Sequence, residues 1–394
     1  MNKSKSRILL IAMADSVHVA RWLEVAAADT DALEILLIPT SPHRRVHPQI
    51  LKRARDYDSV GKTGVRLHPI LKYISLPIWL IDRVFGTVSR VRAWFIRRAI
   101  RSFHPDFVHI METQNGGYAY LTASAKLDAT YRTMLTLFGS DLYWYSRFPE
   151  HANRISKLLS KIDTISAECE RDLALARGLG FKGQFLPLTP VSGGIKAERI
   201  AEPESPATFS KRRIIAVKGY GGTWGQGALA IEALGGLAKS LSGYQVVIFS
   251  CGHAARRAAR RHLRPAGIDY RLHKKSSLSH EALLDIFRHT RIFAGVSKSD
   301  GLPATMLEAM SQGAYPVQTG SACIQGWFDP TRSGSELREG TVVEIQAAFA
   351  FALAHEAFLL EAQALNLATM RARYTLESLN VGVQPTYKSL FASF

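Results

Sequence analysis

Three cysteines in 394 residues leave no material for a disulfide framework. Cys169, Cys251 and Cys323 lie far apart, their count is odd, and their spacing fits no metal-ligand set. A reducing compartment is expected. The chain also lacks an uninterrupted apolar run of the roughly 18–20 residues that a membrane-spanning helix needs. Residues 8–14 follow Lys3, Lys5 and Arg7 and so imitate a secretory leader. Asp15 ends that run and no small-residue cleavage site follows, so a buried first strand is expected instead. There is no internal repeat and no low-complexity tract, which excludes repeat arrays and biased linkers. Acidic residues are the scarcest charged class: 33 Asp and Glu stand against 50 Lys and Arg, for a formal charge of +17.

That surplus is uneven. Between His43 and His104 fourteen Lys and Arg face three Asp. Such a surface attracts polyanions, anionic lipid headgroups or diphosphate-bearing substrates, or serves only as a solvated face. Residues 75–103 place Trp79, Phe85, Trp94, Phe95 and Ile96 among Arg83, Arg90, Arg92, Arg97, Arg98 and Arg101, a composition suited to an anionic bilayer surface. The alternative is a core helix with its arginines in water. Arg256, Arg257, Arg260, Arg261 and Arg264 form a second basic helical face. No aromatic residue interleaves them, so nucleic acid is not an expected partner.

Apolar runs predict strands at 7–14, 32–39, 107–111, 132–137, 164–167 and 184–186, with helical patterns between most of them. Residues 188–212 hold Pro190, Gly193, Gly194, Pro203 and Pro206 and break the alternation. The pattern restarts with strands at 213–218, 244–250, 268–272, 291–296 and 314–317, and ends in helical patterns over 342–373. This predicts an α/β chain of two doubly wound, Rossmann-like domains. The expected divisions are 1–190, a linker at 191–212, a second domain at 213–372, and a C-terminal helix at 373–394 packing back on the first domain.

Parallel sheets bind ligands beyond the carboxyl ends of their strands, which directs attention to the loops there. The most informative stretch is Ser297-Lys298-Ser299-Asp300-Gly301-Leu302-Pro303, running on to Glu308-Ala309-Met310. It follows a predicted strand and opens a helix whose expected first residue is Pro303. Such an end suits a phosphate. Asp300 and Glu308 lie at different depths and can accept hydrogen bonds from different hydroxyls of one elongated ligand. Earlier in the second half, Lys218-Gly219-Tyr220-Gly221-Gly222 follows a strand; Gly219 permits close approach and Lys218 can neutralise a diphosphate, its plainer role being a strand-end surface lysine.

The run from Asp300 to Met310 resembles the Glu-x7-Glu motif of the retaining family 4 glycosyltransferases, with Asp in the first place. Ser16-Val17-His18-Val19-Ala20-Arg21-Trp22, Pro105-Asp106-Phe107-Val108-His109 and Thr136-Leu137-Phe138-Gly139-Ser140-Asp141-Leu142 resemble further segments of that family. The resemblance implies the GT-B fold, two Rossmann-like domains facing a cleft. It implies that Asp300 meets the donor sugar and Glu308 the ribose, with Ser299, Gly301, Leu302, Pro303, Lys218 and Gly219 around the donor. His18, Arg21 and Gln114 are candidates for acceptor or phosphate contact. Asp300 and Asp141 are the catalytic candidates, Asp141 either orienting the acceptor or capping its turn. His109 sits in a strand pattern and is expected in the core. Where many relatives carry a cleft histidine, this chain has Phe138, which can move no proton.

No cofactor is expected: the nucleotide sugar, a UDP-sugar before a GDP-sugar, is a co-substrate. No metal is expected either; the triplets Asp29-Thr30-Asp31 and Asp56-Tyr57-Asp58 are short enough to recur by chance. The expected activity is retaining transfer of a sugar to a glycan or lipid-linked acceptor in bacterial cell-surface glycan or lipopolysaccharide synthesis, in the cytoplasm or at the inner face of the cytoplasmic membrane. A nucleotide-sugar 2-epimerase and a non-catalytic polyanion- or membrane-binding relative are the competing classes.

Overall fold

The computed structural model describes residues 6–26, 33–40, 45–60, 64–68, 88–128, 130–275, 277–381 and 390. The chain divides into two compact units, residues 1–193 with 379–394, and residues 194–378.

In the first unit, strands β1 (Ser6–Ala12), β2 (Leu33–Pro39), β3 (Gly64–Leu67), β4 (Phe107–Met111), β5 (Arg132–Thr136), β6 (Thr164–Ser166) and β7 (Gln184–Phe185) form one sheet in the order β3-β2-β1-β4-β5-β6-β7. Every pairing is parallel; Ile8 lies opposite Ile35 on one side and Phe107 on the other. Successive side chains alternate between faces. Leu9 and Ile11 join Leu36, Ile38, Val108, Ile110 and Leu135 in one core, and Ile8 and Leu10 join Ile35, Leu37, Phe107 and Met134 in the other. Both faces are therefore covered, which is why these strands read as continuous apolar runs.

The second unit repeats the plan. Strands β8 (Ile214–Lys218), β9 (Gln245–Phe249), β10 (Asp269–Leu272), β11 (Thr290–Gly295), β12 (Tyr315–Thr319) and β13 (Ser335–Leu337) run parallel in the order β10-β9-β8-β11-β12-β13. Ile215, Val217, Val246, Ile248, Ile292 and Val317 fill one face. On the other, Phe249, Phe287 and Phe293 meet edge to face or tilted, with centroids 5.5–6.2 Å apart.

The structure departs from the sequence reading in several places. Residues 194–212, expected as linker, are tied into the second unit. Ala201 N–H donates to Ser311 O at 2.9 Å, and Glu204 N–H to Gln363 Oε1 at 2.9 Å. Arg212, 4% exposed, holds both carboxylate oxygens of Glu204 at 2.8 and 3.1 Å and the carbonyls of Thr290 and Gln312 at 2.8 Å each. Residues 373–378 also stay with the second unit, because Ile195 N–H donates to Tyr374 O and Leu376 N–H to Ile195 O, each at 2.9 Å. Leu390 is buried in the first unit's core. The helical patterns over 342–373 agree with the sequence reading: they are two helices, Val342–Ala354 and Glu356–Arg373, bent by 97° at His355, whose φ of −118° and ψ of 66° leave the helical region. Among the described residues no single helix is long and apolar enough to cross a membrane. Of the basic aromatic stretch 75–103, residues 75–87 lie outside the described residues. Val88–Phe103 is a helix whose Ala93, Ile96, Ile100 and Phe103 are buried. Arg92 is buried too, while Arg90, Trp94, Arg98 and Arg101 are exposed. The triplet at 29–31 and the side chains of 56–58 also lie outside the described residues.

Arg212→Leu is expected to destabilise the second unit by about 2 kcal/mol, since it strips a half-buried carboxylate and two carbonyls of their buried donor. Urea unfolding followed by intrinsic fluorescence checks this; a loss below about 1 kcal/mol contradicts it.

Candidate functional site

The chemistry of the second unit gathers past the carboxyl ends of β8 and β11. β8 ends at Lys218, and its backbone continues into a glycine-rich loop before the helix Gly227–Gly235. Three contacts fix that loop. A Cβ on Gly227 would collide with the Lys218 carbonyl oxygen, so only glycine lets the helix start there. Lys298 N–H donates to Trp224 O at 2.8 Å and Gln226 N–H to Val296 O at 2.9 Å, joining the loop to the segment after β11.

Lys218 Nζ lies 3.2 Å from Asp300 Oδ2. The Tyr220 hydroxyl donates to the same oxygen at 3.4 Å, and the Lys218 ammonium sits over the Tyr220 ring, 4.3 Å from its centroid. The Lys218 and Asp300 side chains are 19% and 28% exposed, so the pair is shielded yet open to a ligand. Burial works against the Lys218 charge, but Asp300, Tyr220 and Glu308 outweigh it and hold its pKa above the ordinary lysine value. Burial raises the Tyr220 phenol, which stays a neutral donor.

Glu308 belongs to the helix Ala304–Ser311 and is 5% exposed. His280, the first residue of the helix His280–Arg288, places Nε2 2.9 Å from Glu308 Oε1. That helix is capped by Ser279, whose hydroxyl accepts from Ala282 N–H at 3.1 Å. Tyr220 and His280 were not singled out as candidates by the sequence. The available signals were a tyrosine inside the glycine-rich loop and a histidine directly after a helix-capping serine.

Of the other donor candidates, Pro303 is not in the helix: its φ of −72° and ψ of 99° are extended, and the helix opens at Ala304. Gly219 has its N–H committed to Phe249 O at 2.8 Å, extending the β8–β9 ladder, so its N–H does not face a ligand. Gly301 turns its N–H to Asp300 Oδ1 at 3.0 Å. Ser299 is 1% exposed and Leu302 4%, placing both in the packing beneath the loop.

In the first unit, β4 ends in a strained turn. Glu112 adopts φ 82° and ψ 147°, a region that side-chain-bearing residues rarely occupy. Its carboxylate accepts from Asn115 N–H, Asn115 Nδ2 and Gly116 N–H at 3.0, 2.9 and 2.8 Å. These three bonds hold the π-helical turn Thr113–Gly117 in place. Gln114 in that turn donates to Asp141 O at 2.9 Å. The Asp141 carboxylate accepts from Thr113 N–H at 3.0 Å and from the Thr113 hydroxyl at 3.2 Å, so it locks the loop after β5 to the loop after β4. That geometry favours the turn-holding role for Asp141 over the catalytic one. Arg21 donates to Ser192 O at 2.6 Å, which pins the end of the unit rather than leaving the guanidinium outstretched. The His18 ring lies 5.8 Å from that of Phe138. His109 is buried, bonds Thr136 Oγ1 at 2.7 Å, packs on Trp22, and is pushed down to about 3 by burial; it is a neutral core residue.

Burial first, and then the charges of Glu112 and Asp172, raise Asp141 to about 7 against hydrogen bonds from the Thr113 and Phe138 backbones. A carboxyl whose folded pKa is raised binds its proton more tightly in the folded state. Its stabilisation is complete below about pH 4 and is lost as pH rises through about 7. Asp141→Asn is therefore expected to flatten the fall in stability between those limits by up to about 4 kcal/mol. Denaturation midpoints across pH 4–8 test this; parallel profiles for the two proteins would count against it.

No protein-family model and no curated protein matches the sequence. Solved structures do match, over nearly the whole chain. Sucrose-phosphate synthase from Thermosynechococcus elongatus superposes with a TM-score of 0.70 at 15% identity, covering 99% of this chain and 100% of that one. Anabaena HepE, in complex with UDP and glucose, gives 0.65 at 11% identity over 98% and 100%. A glycosyltransferase from Rickettsia africae gives 0.65 at 11% identity over 99% and 100%. Two parallel-sheet units with helices on both faces, matched by these structures, establish the fold as GT-B.

Proposed function

We propose that this chain transfers a sugar from a nucleotide sugar to a hydroxyl acceptor, with retention at the anomeric carbon. The observation that carries the reading is the grouping of Lys218, Tyr220 and Asp300 at one end of the second unit's sheet, with Glu308 held by His280 on the adjoining helix. Glu308 takes the ribose hydroxyls, Asp300 the sugar hydroxyls and Lys218 the diphosphate. UDP is the favoured nucleotide, a preference supported by the UDP and UDP-glucose complexes of Anabaena HepE. GDP is the second choice.

In this reading the bond from the anomeric carbon to the diphosphate oxygen breaks first, and its electron pair leaves with the diphosphate. The sugar passes through an oxocarbenium-like state. Lys218 stabilises the growing charge on the leaving group, so the reading invokes no metal. The acceptor oxygen attacks on the face the diphosphate vacates, and its proton passes to a departing phosphate oxygen. Asp300 fixes the anomeric carbon through the sugar hydroxyls. The acceptor is a glycan or lipid-linked saccharide of the cell surface, such as a lipopolysaccharide precursor. The exposed side chains of Trp94, Arg98 and Arg101 suit anionic headgroups at the inner face of a cytoplasmic membrane.

Thermal shift across UDP-, GDP- and ADP-sugars is the first test, on the wild type and on Glu308→Ala. One nucleotide class is expected to raise the melting temperature, by an amount that grows with ligand over its dissociation constant, and the substitution is expected to abolish the rise. A wild type unmoved by all three classes overturns the reading.

A further inference from the structure

One face of the second unit's sheet is covered by three helices side by side. Gly227–Gly235 lies in the middle. It packs against His253–Ala258 with its π-helical continuation Ala259–Leu263 on one flank, and against Val342–Ala354 on the other. All three feed one core, through Ile231, Leu234, Leu263, Ile345 and Phe349 among others. The helix Val342–Ala354 is apolar beyond what that core uses. Ile345, Phe349 and Ala352 are buried, yet the opposite stripe of Val343, Ala347, Ala350, Phe351 and Ala354 is apolar too and exposed. At 3.6 residues per turn these five fall within about 100° of arc. Val343 is 78% exposed and Phe351 40%. The two polar side chains of the helix are engaged elsewhere. Glu344 accepts from the N–H groups of Arg338, Glu339 and Gly340, and Gln346 lies over Gly236. Phe351 is held against His355 and Phe358, with centroids 4.4 and 5.2 Å away, and so is a fixed aromatic anchor. A helix apolar on both sides needs a cover on both sides.

The flanks of this layer carry opposite charge. Arg257, Arg260, Arg261 and Arg264 are exposed on one. On the other, Glu336, Glu339 and Glu344 outnumber Arg338 around the start of Val342–Ala354. The middle helix carries one charged residue, Glu232. An anionic bilayer laid on this face would attract the arginines and repel the glutamates. A second copy of the chain satisfies both. We propose that the layer is a self-association surface, on which two copies meet about a two-fold axis running along the helices. That rotation keeps the helix direction and exchanges the flanks, so the arginine helix of each copy lies on the apolar helix of the other. The outer helices begin past the carboxyl ends of β9 and β13, two strands of one parallel sheet, and so run the same way. Arg257, near the start of its helix, then falls opposite Glu339 and Glu344. Arg260, Arg261 and Arg264 fall opposite Ala350, Phe351 and Ala354, where their methylene stems cover the apolar stripe and a guanidinium meets the Phe351 ring. The association is independent of what the loops after β8 and β11 bind.

Sedimentation equilibrium of the full chain tests this. The wild type is expected to be a dimer at about 50 μM in low salt and to dissociate on dilution and on raising the salt. Ala350→Arg sets a cation against the partner's arginine helix and is expected to weaken the dimer about a hundredfold. Arg260→Glu with Arg261→Glu is expected to weaken it about tenfold. The triple variant pairs the new cation with the new carboxylates and is expected to recover most of the loss. That recovery separates the crossed contact from one in which the two apolar helices merely stack on each other, where reversing the arginines rescues nothing. All substituted side chains are exposed, and melting temperatures near that of the wild type establish that the variants are folded. If Ala350→Arg does not fold, Ala347→Arg on the same stripe replaces it. A wild type that is monomeric at about 50 μM, an Ala350→Arg variant that dimerises as well as the wild type, or a triple variant no tighter than Ala350→Arg alone each overturns the proposal.

Discussion

A strand buried on both faces has no side on which to show polar chemistry, and a parallel sheet leaves only its ends. That constraint arranges both units. Along β1, β4, β8 and β11 nearly every side chain is consumed by one core or the other. Charged and hydrogen-bonding groups collect where the strands stop: Lys218 as the last residue of β8, the segment from Ser297 to Pro303 after β11, Glu112 to Gln114 after β4 and Asp141 after β5. Each such loop must satisfy its own backbone while presenting something to solvent. The two units solve this differently. The first spends its carboxylates on backbone N–H groups, and those of Glu112 and Asp141 become struts. The second spends Asp300 Oδ2 and Glu308 Oε1 on side chains, which a ligand can displace or share.

The same constraint explains what was legible in the sequence. Buried parallel strands write themselves as apolar runs, so the central strands and the division into two similar sheets could be read directly. The edge strands β3 and β13 are only four and three residues long and carry Arg66 and Glu336, too short and too polar for periodicity to register. The linker at 191–212 was misjudged because prolines and glycines describe backbone conformation, not attachment. Arg212 and Ala201 fasten that stretch through contacts a hundred or more positions away.

For the site, the motif from Asp300 to Glu308 announced itself by local spacing. Its partners did not. Tyr220 stands 80 positions from Asp300 and His280 28 positions from Glu308, and nothing local marks them as neighbours. Arg21 is a similar case: its spacing from His18 says nothing of Ser192, 171 positions on, whose carbonyl one of its guanidinium N–H groups reaches. A spacing rule reads one element at a time; the charge balance around Lys218 is set by three.

The loop between β8 and its helix is tight at its ends and roomy in its middle. Gly227 touches the Lys218 carbonyl and Gly225 would crowd the Tyr220 backbone, but an added methyl on Gly222 meets nothing within 4 Å and on Gly221 only Ala254 Cβ at 4.0 Å. The segment is thus a socket with fixed terminals and an interchangeable insert. Space is not the only condition, since Gly222 holds φ 89°, where a side chain is strained; Gly221 is therefore where a protein engineer would place a reporter fluorophore without rebuilding the scaffold.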